Sequence, residues 1–511
     1  MSLSENSKRI AKNSILLYLR MFFLLLIALY TSRVVLQVLG VTDYGLYNVV
    51  GGFVSMLGFL SGSLSGATSR FITFELGLGE KGDVSKIFRC SLTVHYIFGI
   101  ILFLIAETFG LWFVFEKLVI PDERLTAAFW VYQSSVLVVI LSIISVPYNA
   151  LIIAHEKMGA FAYISIFEAI SKLTVVILLS QCESDRLILY SFLLLFVQSF
   201  IRFLYTRYCK KNFKESSGKW LWDNKISKKI AYYAGWTLNG DLAVIGYTQG
   251  INILLNMFFG PTVNAARGIA VQVQSAVNQF FSNFQMAIRP QVTKSYAVGD
   301  FKYMHTLILS SSRYSFYLIL IIAVPVLLNT EYIMHLWLTV VPEHTVAFTQ
   351  LMILACVNIA LSQPVIMAIH ATGDLKVFQL VEGSILLAVV PVSYVALKVF
   401  SVSPEMVFVI YLLIENITQF VRVYIVYPRI KLRVKNYFSS VLFPILKVSL
   451  ILFLLYIICR DYCSADNLLT FVLISSLSIF VTLSVVYCIG FDRNERKIVS
   501  GRLITSIKKI L

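Results

Sequence analysis

Charge is scarce in this chain. Asp, Glu, Lys and Arg make up 14% of its 511 residues, against 58% hydrophobic ones. At a mean hydropathy of +0.80 no soluble domain could bury so much apolar surface, which excludes a water-soluble enzyme or binding module. The seven cysteines are scattered and form no CxxC pair; Cys182 and Cys463 are expected to face the outside, with nothing to support a disulfide between them. P-loops, metal-ligand clusters and nucleophile elbows are also lacking. No cofactor or metal is therefore expected, and no ATPase. Any driving force must come from an ion gradient or from the substrate's own gradient. Long loops are missing too. The longest external connection lies near 329–345 and holds no paired carboxylates. Membrane glycosyltransferases and polysaccharide polymerases usually carry catalytic residues in large external loops, so that class is disfavoured and no catalytic residue is assigned. A cleavable signal peptide is not expected: the apolar run after Lys12 is too long and is interrupted by Arg20 and Arg33.

What the chain does have is continuous apolar runs, each of roughly 20 residues, the length that crosses a bilayer as a helix. The runs are unbroken, unlike the alternating segments of a β-barrel. About fourteen spans are expected. They fall near 14–38, 44–64, 87–112, 127–150, 161–179, 187–208, 231–258, 263–288, 307–328, 347–369, 377–397, 406–427, 441–459 and 468–489. The fold class is an all-α polytopic membrane protein.

Residues 7–100 and 227–320 read as one segment written twice. Ser7-Lys8-Arg9-Ile10-Ala11 matches Ser227-Lys228-Lys229-Ile230-Ala231. With no gap, Gly40 falls on Gly260, Thr42 on Thr262, Ala67 on Ala287, Thr73 on Thr293, Gly79 on Gly299, Glu80 on Asp300 and Ser91 on Ser311. The matches sit at polar and Gly positions rather than in apolar filler, which favours a repeat over chance. Six spans per copy is an even number, so the copies are expected to be parallel repeats. The expected layout is an N-terminal six-helix lobe (1–209), a basic linker (210–229), a second six-helix lobe (230–428), an extra helix pair (429–490) and a basic tail (491–511).

Net charge is +16, and the bases crowd on one side. Lys8, Arg9 and Lys12 precede the first span; Lys210, Lys211, Lys214, Lys219, Lys225, Lys228 and Lys229 fill the linker; further clusters follow the twelfth span and form the tail. By the positive-inside rule both termini are cytoplasmic. The basic linker and tail are read as topology signals and contacts to membrane lipids. Nucleic acid is not an expected partner.

Ionisable residues within spans cost roughly 2.5–3.5 kcal/mol on insertion scales and so tend to face a cavity or a partner. Arg20, Arg89, Arg202 and Arg422 lie close enough to the cytoplasmic ends to snorkel. Glu168 and Lys172 are spaced to pair with each other at i,i+4. In the eighth span Asn264, Arg267, Gln274, Asn278, Ser282 and Gln285 recur on one helical face, widened by Gln272, Gln279 and Asn283. That face lines a water-filled cavity or forms a polar seam between helices. The equivalent face of the second span, with Tyr44, Tyr47, Gly51 and Gly58, suits close packing or sugar stacking. Arg33, Arg70, Arg267 and Arg313 lie on spans that could converge on a cleft, and arginine's planar fork suits phosphate oxygens. With Asn264, Gln274 and Asn278 they are the expected substrate-binding set. Asp241, beside an expected Gly break in Asn239-Gly240-Asp241, is the candidate site for H+ or Na+ coupling; an ion pair to a nearby arginine is the alternative.

The turn Leu39-Gly40-Val41-Thr42-Asp43-Tyr44-Gly45-Leu46-Tyr47 resembles the turn after the first span of O-antigen and polysaccharide flippases. Asn264-Ala265-Ala266-Arg267-Gly268-Ile269-Ala270, with Ala287-Ile288-Arg289-Pro290-Gln291-Val292, resembles their second-half signature. The layout of six, six and two spans is similar to this branch of the multidrug/oligosaccharidyl-lipid/polysaccharide exporter superfamily. The resemblance implies two lobes forming a V-shaped cleft. It implies export of undecaprenyl-diphosphate-linked oligosaccharide (an O-antigen, capsule or exopolysaccharide unit) across the bacterial cytoplasmic membrane. Arg33 and Arg267 would meet the diphosphate or acidic sugars. Arg70 and Arg289, one position out of register, would serve an inner gate or anchor the cytoplasmic ends. A polysaccharide polymerase is a candidate partner. The competing readings are a multidrug cation exporter of the same superfamily, a membrane glycosyltransferase or polymerase, and a passive scramblase.

Overall fold

Apolar runs punctuated by left-handed glycines lay out the chain. The computed structural model describes residues 3–57, 59–117, 120–182, 185–218, 220–338, 341–460, 465–493 and 495–497. Its long helical segments are α1 (Leu3–Leu57), α2 (Phe59–Gly77), α3 (Val84–Glu116), α4 (Asp122–Ala154), α5 (Met158–Leu179), α6 (Arg186–Asn212), α7 (Asn224–Phe259), α8 (Pro261–Val298), α9 (Phe301–Leu328), α10 (Thr345–Thr372), α11 (Lys376–Phe400), α12 (Glu405–Arg429), α13 (Val434–Ile458) and α14 (Leu468–Gly490). No strand occurs among the described residues. The chain is an all-α multi-pass membrane protein, as its composition requires.

Among the described residues, twelve helices are long and apolar enough to cross a membrane by length and composition. α8 is not among them, yet it has 38 residues and so extends about 57 Å, well beyond the hydrocarbon core. It is the helix of the eighth span, whose small and amide side chains lower its hydropathy; the second span falls across the end of α1 and the start of α2. Large apolar side chains point outward elsewhere: Leu469 is 71% exposed and Phe480 68%. Such surface is a liability in water and is solvated by acyl chains in a bilayer.

The repeat is visible in the backbone. α1 kinks at Gly40, where φ is +77°. α7 stops before Gly260, where φ is +82°. Further on, Gly79 has φ +61° and its counterpart Gly299 has φ +76°. Each copy is thus helix, left-handed glycine, helix, left-handed glycine, and each then caps its next helix with an aspartate. The Asp83 carboxylate accepts from Lys86 N at α3, and that of Asp300 from Tyr303 N at α9. A left-handed residue with a Cβ costs about 1–2 kcal/mol. Nothing lies within 4 Å of where a Cβ would stand at Gly40 or Gly260, so the cost there is backbone strain alone. Gly40→Ala and Gly260→Ala are each expected to lower stability by about 1–2 kcal/mol, read as similar falls in thermal midpoint of the solubilised protein. A neutral effect at either site would mean that its turn is not held left-handed.

Two compact units are present. Unit 1 is Met1–Leu238 with Arg289–Gly299; unit 2 is Asn239–Ile288 with Asp300–Leu511. The division falls inside α7 and α8. Unit 1 packs Ile72, Phe88, Leu151, Val176 and Ile201 in one apolar cluster and Val50, Val131 and Tyr132 in another. Unit 2 packs Leu255, Ala266, Phe348, Val389 and Phe408.

Candidate functional site

In unit 1, α1, α5 and α6 enclose a cavity of about 530 Å³, lined by Arg20, Tyr44, Tyr47, Glu168, Lys172 and Tyr190 among others. A second cavity, of about 330 Å³, shares Tyr47, Lys172 and Tyr190 with it and reaches Gly51, Gly52 and Gln198. Tyr44 and Tyr47 lie three apart on one helical face, and the absent side chains of Gly51 and Gly52 leave the space beside them. The Tyr47 and Tyr190 rings meet edge to face with centroids 5.1 Å apart. Lys172 Nζ stands 2.6 Å from Glu168 Oε1, the i,i+4 pair expected from the spacing. Arg20 does not snorkel away: it lines the cavity, with its guanidinium 4.5 Å above the Phe161 ring. Two cations face one carboxylate here, so the cavity is cationic.

Glu156 closes the end of this unit. It sits in the turn between α4 and α5 with φ +59°, and its side chain is only 1% exposed. Its carboxylate lies 2.8 Å from Arg9 Nε and 2.7 Å from Lys294 Nζ, and accepts from Gln291 Nε2 at 2.8 Å. The last turns of α8 are thereby fastened to the start of α1. Close approach helps: a Cβ on Gly77 of α2 would come within 2.8 Å of Lys294 Cα.

In unit 2 the polar helix α8 exposes Gln272, Ser275, Gln279 and Ser282 along one face. Asn264, Arg267, Gln274 and Asn278 flank that face half-buried, and Asn283 and Gln285 are buried. The open face is therefore rotated from the stripe drawn on the sequence, toward the residues expected only to widen it. Arg267 Nη2 donates to the Thr248 carbonyl on α7 at 2.8 Å. No carboxylate pairs with Arg267 among the described residues. The amide oxygens of Asn264 and Asn278 are buried and accept no hydrogen bond among the described residues, which marks a place for a donor.

Within unit 2, Arg313 is engaged by a carboxylate. Arg313 Nη2 is 2.5 Å from Glu495 Oε1, and Tyr314 Oη donates to the same oxygen at 2.6 Å. Arg313 thus fastens the segment after α14 to α9. Arg70, on α2 in unit 1, lies 4.7 Å over the Phe71 ring and 4.6 Å over that of Phe74. Arg33 lies on α1, but its side chain falls outside the described residues. Asp241 is half-buried on α7. The expected Gly break beside it is absent, because α7 is continuous through Gly240. The missing Cβ of Gly240 instead admits the Gln379 amide of α11.

One cluster was not foreseen. Arg422 on α12, expected to snorkel, has a side chain only 4% exposed. Its Nε is 2.6 Å from Glu382 Oε1 on α11, its Nη1 is 2.6 Å from Glu415 Oε1, and Nη1 also donates to Ser362 Oγ on α10 at 3.1 Å. Two buried carboxylates share one guanidinium, an excess of one acid. Glu415 and Arg422 stand seven residues apart, two helical turns, and that shared face was the available signal.

The chain thus combines a duplicated helix–glycine–helix start with a cationic chamber in one unit and a polar helix in the other. No family model and no curated protein matches the sequence. Solved structures match the fold. A MOP-superfamily transporter from Pyrococcus furiosus, described as having a binding pocket of reverse polarity that suggests a different function, superposes with a TM-score of 0.70 at 13% identity. A MATE transporter in complex with MaD3S gives 0.72 at 12% identity, and an outward-facing multidrug resistance MATE family transporter gives 0.67 at 14%. Each match covers 83% of this chain and 96% of the other. The fold is that of MATE transporters of the MOP superfamily.

Proposed function

We propose that this protein is a flippase that carries a polyprenyl-diphosphate-linked oligosaccharide from the inner to the outer leaflet of the bacterial cytoplasmic membrane by alternating access. Arg267 carries the reading. It is a guanidinium on a spanning helix, tied to one backbone carbonyl and without a carboxylate partner among the described residues. A charge in that position is costly, and a diphosphate offers it two charge-assisted acceptors. The half-buried amides of Asn264, Gln274 and Asn278 on the same helix suit sugar hydroxyls. The cationic chamber of unit 1, with Arg20 and Lys172, agrees in sign. Arg33 and Arg70 remain in the proposed binding set. Arg313, already paired, would act there only by releasing Glu495.

The multidrug reading has its own support in the printed description of one fold relative. Organic cations would meet repulsion at Arg20, Lys172 and Arg267, and the Pyrococcus transporter shows that pocket polarity varies within this fold. For coupling to H+ or Na+, Asp241 is joined by the Glu382–Glu415–Arg422 cluster, whose surplus carboxylate suits a bound cation. A polymerase partner belongs to the same proposal.

The test is the pool of lipid-linked oligosaccharide in cells depleted of the protein, with leaflet assigned by an external glycan-modifying reagent. Accumulation in the inner leaflet with loss of surface polysaccharide is expected. An unchanged pool, with transport of a cationic dye by purified protein, would replace this reading with the multidrug one.

A further inference from the structure

The basic linker between the repeats folds back onto unit 1 and roofs a chamber that the transport proposal does not use. Thr93 Oγ1 on α3 donates to the Leu221 carbonyl at 3.0 Å, and Lys86 pairs with Asp223 at 2.8 Å. Trp220 stacks on Tyr96 with ring centroids 4.4 Å apart. Gly218, at φ +137°, lets the loop pass so close that a Cβ there would lie 3.1 Å from Arg89 Cδ. Beneath this roof, between α3 and α6, is a cavity of about 400 Å³.

Arg89, Arg202 and Lys210 all line the cavity, and among the described residues no Asp or Glu does. The two linker acids are committed elsewhere: Glu215 Oε1 lies 3.7 Å from His155 Nε2, and the hydrogen bond from Lys86 holds the Asp223 carboxyl below the usual carboxylate range. Arg202 Nη2 donates to Tyr96 Oη at 2.6 Å, while its Nη1 is buried and has no hydrogen-bond partner among the described residues. A buried guanidinium nitrogen with no acceptor, in a cavity of one charge sign, calls for an anion. Lys210 stands two residues before the end of α6 at Asn212, and Arg202 lies eight residues deeper, about 12 Å along the helix. Phe196, Phe200 and Phe203 lie outward on the same helix at spacings of four and three, an exposed apolar track leading from the cavity along the span.

We propose that this chamber binds the phosphate of an anionic membrane lipid, headgroup under the linker and acyl chains along the phenylalanine track. The basic linker is then a built receptor for one lipid class and not only a topology signal.

The test is native mass spectrometry of the full chain released from nanodiscs of equimolar phosphatidylglycerol and phosphatidylcholine. Retained phosphatidylglycerol is expected in the wild type. The variant Arg89→Gln/Arg202→Gln/Lys210→Gln is expected to bind it about a hundredfold more weakly, near fivefold per charge. A charge-matched control, Lys157→Gln/Lys302→Gln/Lys435→Gln, is expected to retain it. If the triple variant does not fold, Lys210→Gln alone, at an exposed side chain, should lose about fivefold. Equal loss in site and control variants, or no preference for phosphatidylglycerol, would overturn the proposal. Displacement of the lipid by millimolar inorganic phosphate would overturn the lipid assignment in favour of a free-anion site.

Discussion

Arg422→Leu is expected to be the most damaging single substitution in this protein, at about 3–5 kcal/mol. The side chain is 4% exposed and is the only described cation on two carboxylates that are themselves 12% and 4% exposed. Removing it leaves Glu382 and Glu415 facing each other without a counter-charge at a junction of α10, α11 and α12. The thermal midpoint of the detergent-solubilised protein should fall sharply. Arg422→Lys should recover part of the loss, because an ammonium keeps the charge but cannot span both carboxylates and Ser362 with a planar fork. Glu382→Gln in the Arg422→Leu background should be less harmful than in the wild type, the signature of coupled partners in a double-mutant cycle. Wild-type stability in Arg422→Leu would mean that the cluster contributes nothing.

Arg267→Gln should leave stability nearly unchanged and abolish most transport. Its described tie to the fold is one hydrogen bond to a carbonyl, worth about 1 kcal/mol. A charge-assisted contact to phosphate is worth about 1.5–3 kcal/mol. Glycolipid translocation by correctly inserted Arg267→Gln should thus fall by about 10- to 100-fold. Arg267→Lys should fall less, keeping the charge without the bidentate geometry. Adding Arg33→Gln should deepen the defect. Intact leaflet transfer in the double variant would sink the diphosphate reading.

Local backbone demands were legible in the sequence. Gly40 and Gly260, like Gly79 and Gly299, fall into register in the sequence itself, because a left-handed turn selects its residue by sterics alone. The Glu168–Lys172 pair was legible for a similar reason: both partners sit on one helix, and the spacing fixes the geometry. What escaped were contacts whose partners lie far apart in the chain. Arg422 looked like an interfacial residue because distance along α12 was the only available ruler, and Glu382 and Ser362 lie on other helices. Glu495, 182 residues beyond Arg313, was equally out of reach. Glu156 drew no notice as a lone acid in a short turn, since its partners come from residues 9, 291 and 294. In the sequence Gly240 suggests a break, whereas its missing Cβ serves a close approach between helices. Periodicity identified α8 as a polar helix, but only packing decides which side stays open.

The low hydropathy of α8 bears on how the chain is made. Twelve helices among the described residues carry enough apolar surface to partition into lipid as they leave the ribosome, and α8 does not. It follows α7, which does, across the left-handed Gly260. Membrane insertion of α8 therefore depends on company. It must enter as the trailing arm of a helical pair, or be shielded until later helices arrive to cover its amide and hydroxyl groups. Biosynthesis thus has a vulnerable moment at the helix whose polarity the proposed transport requires.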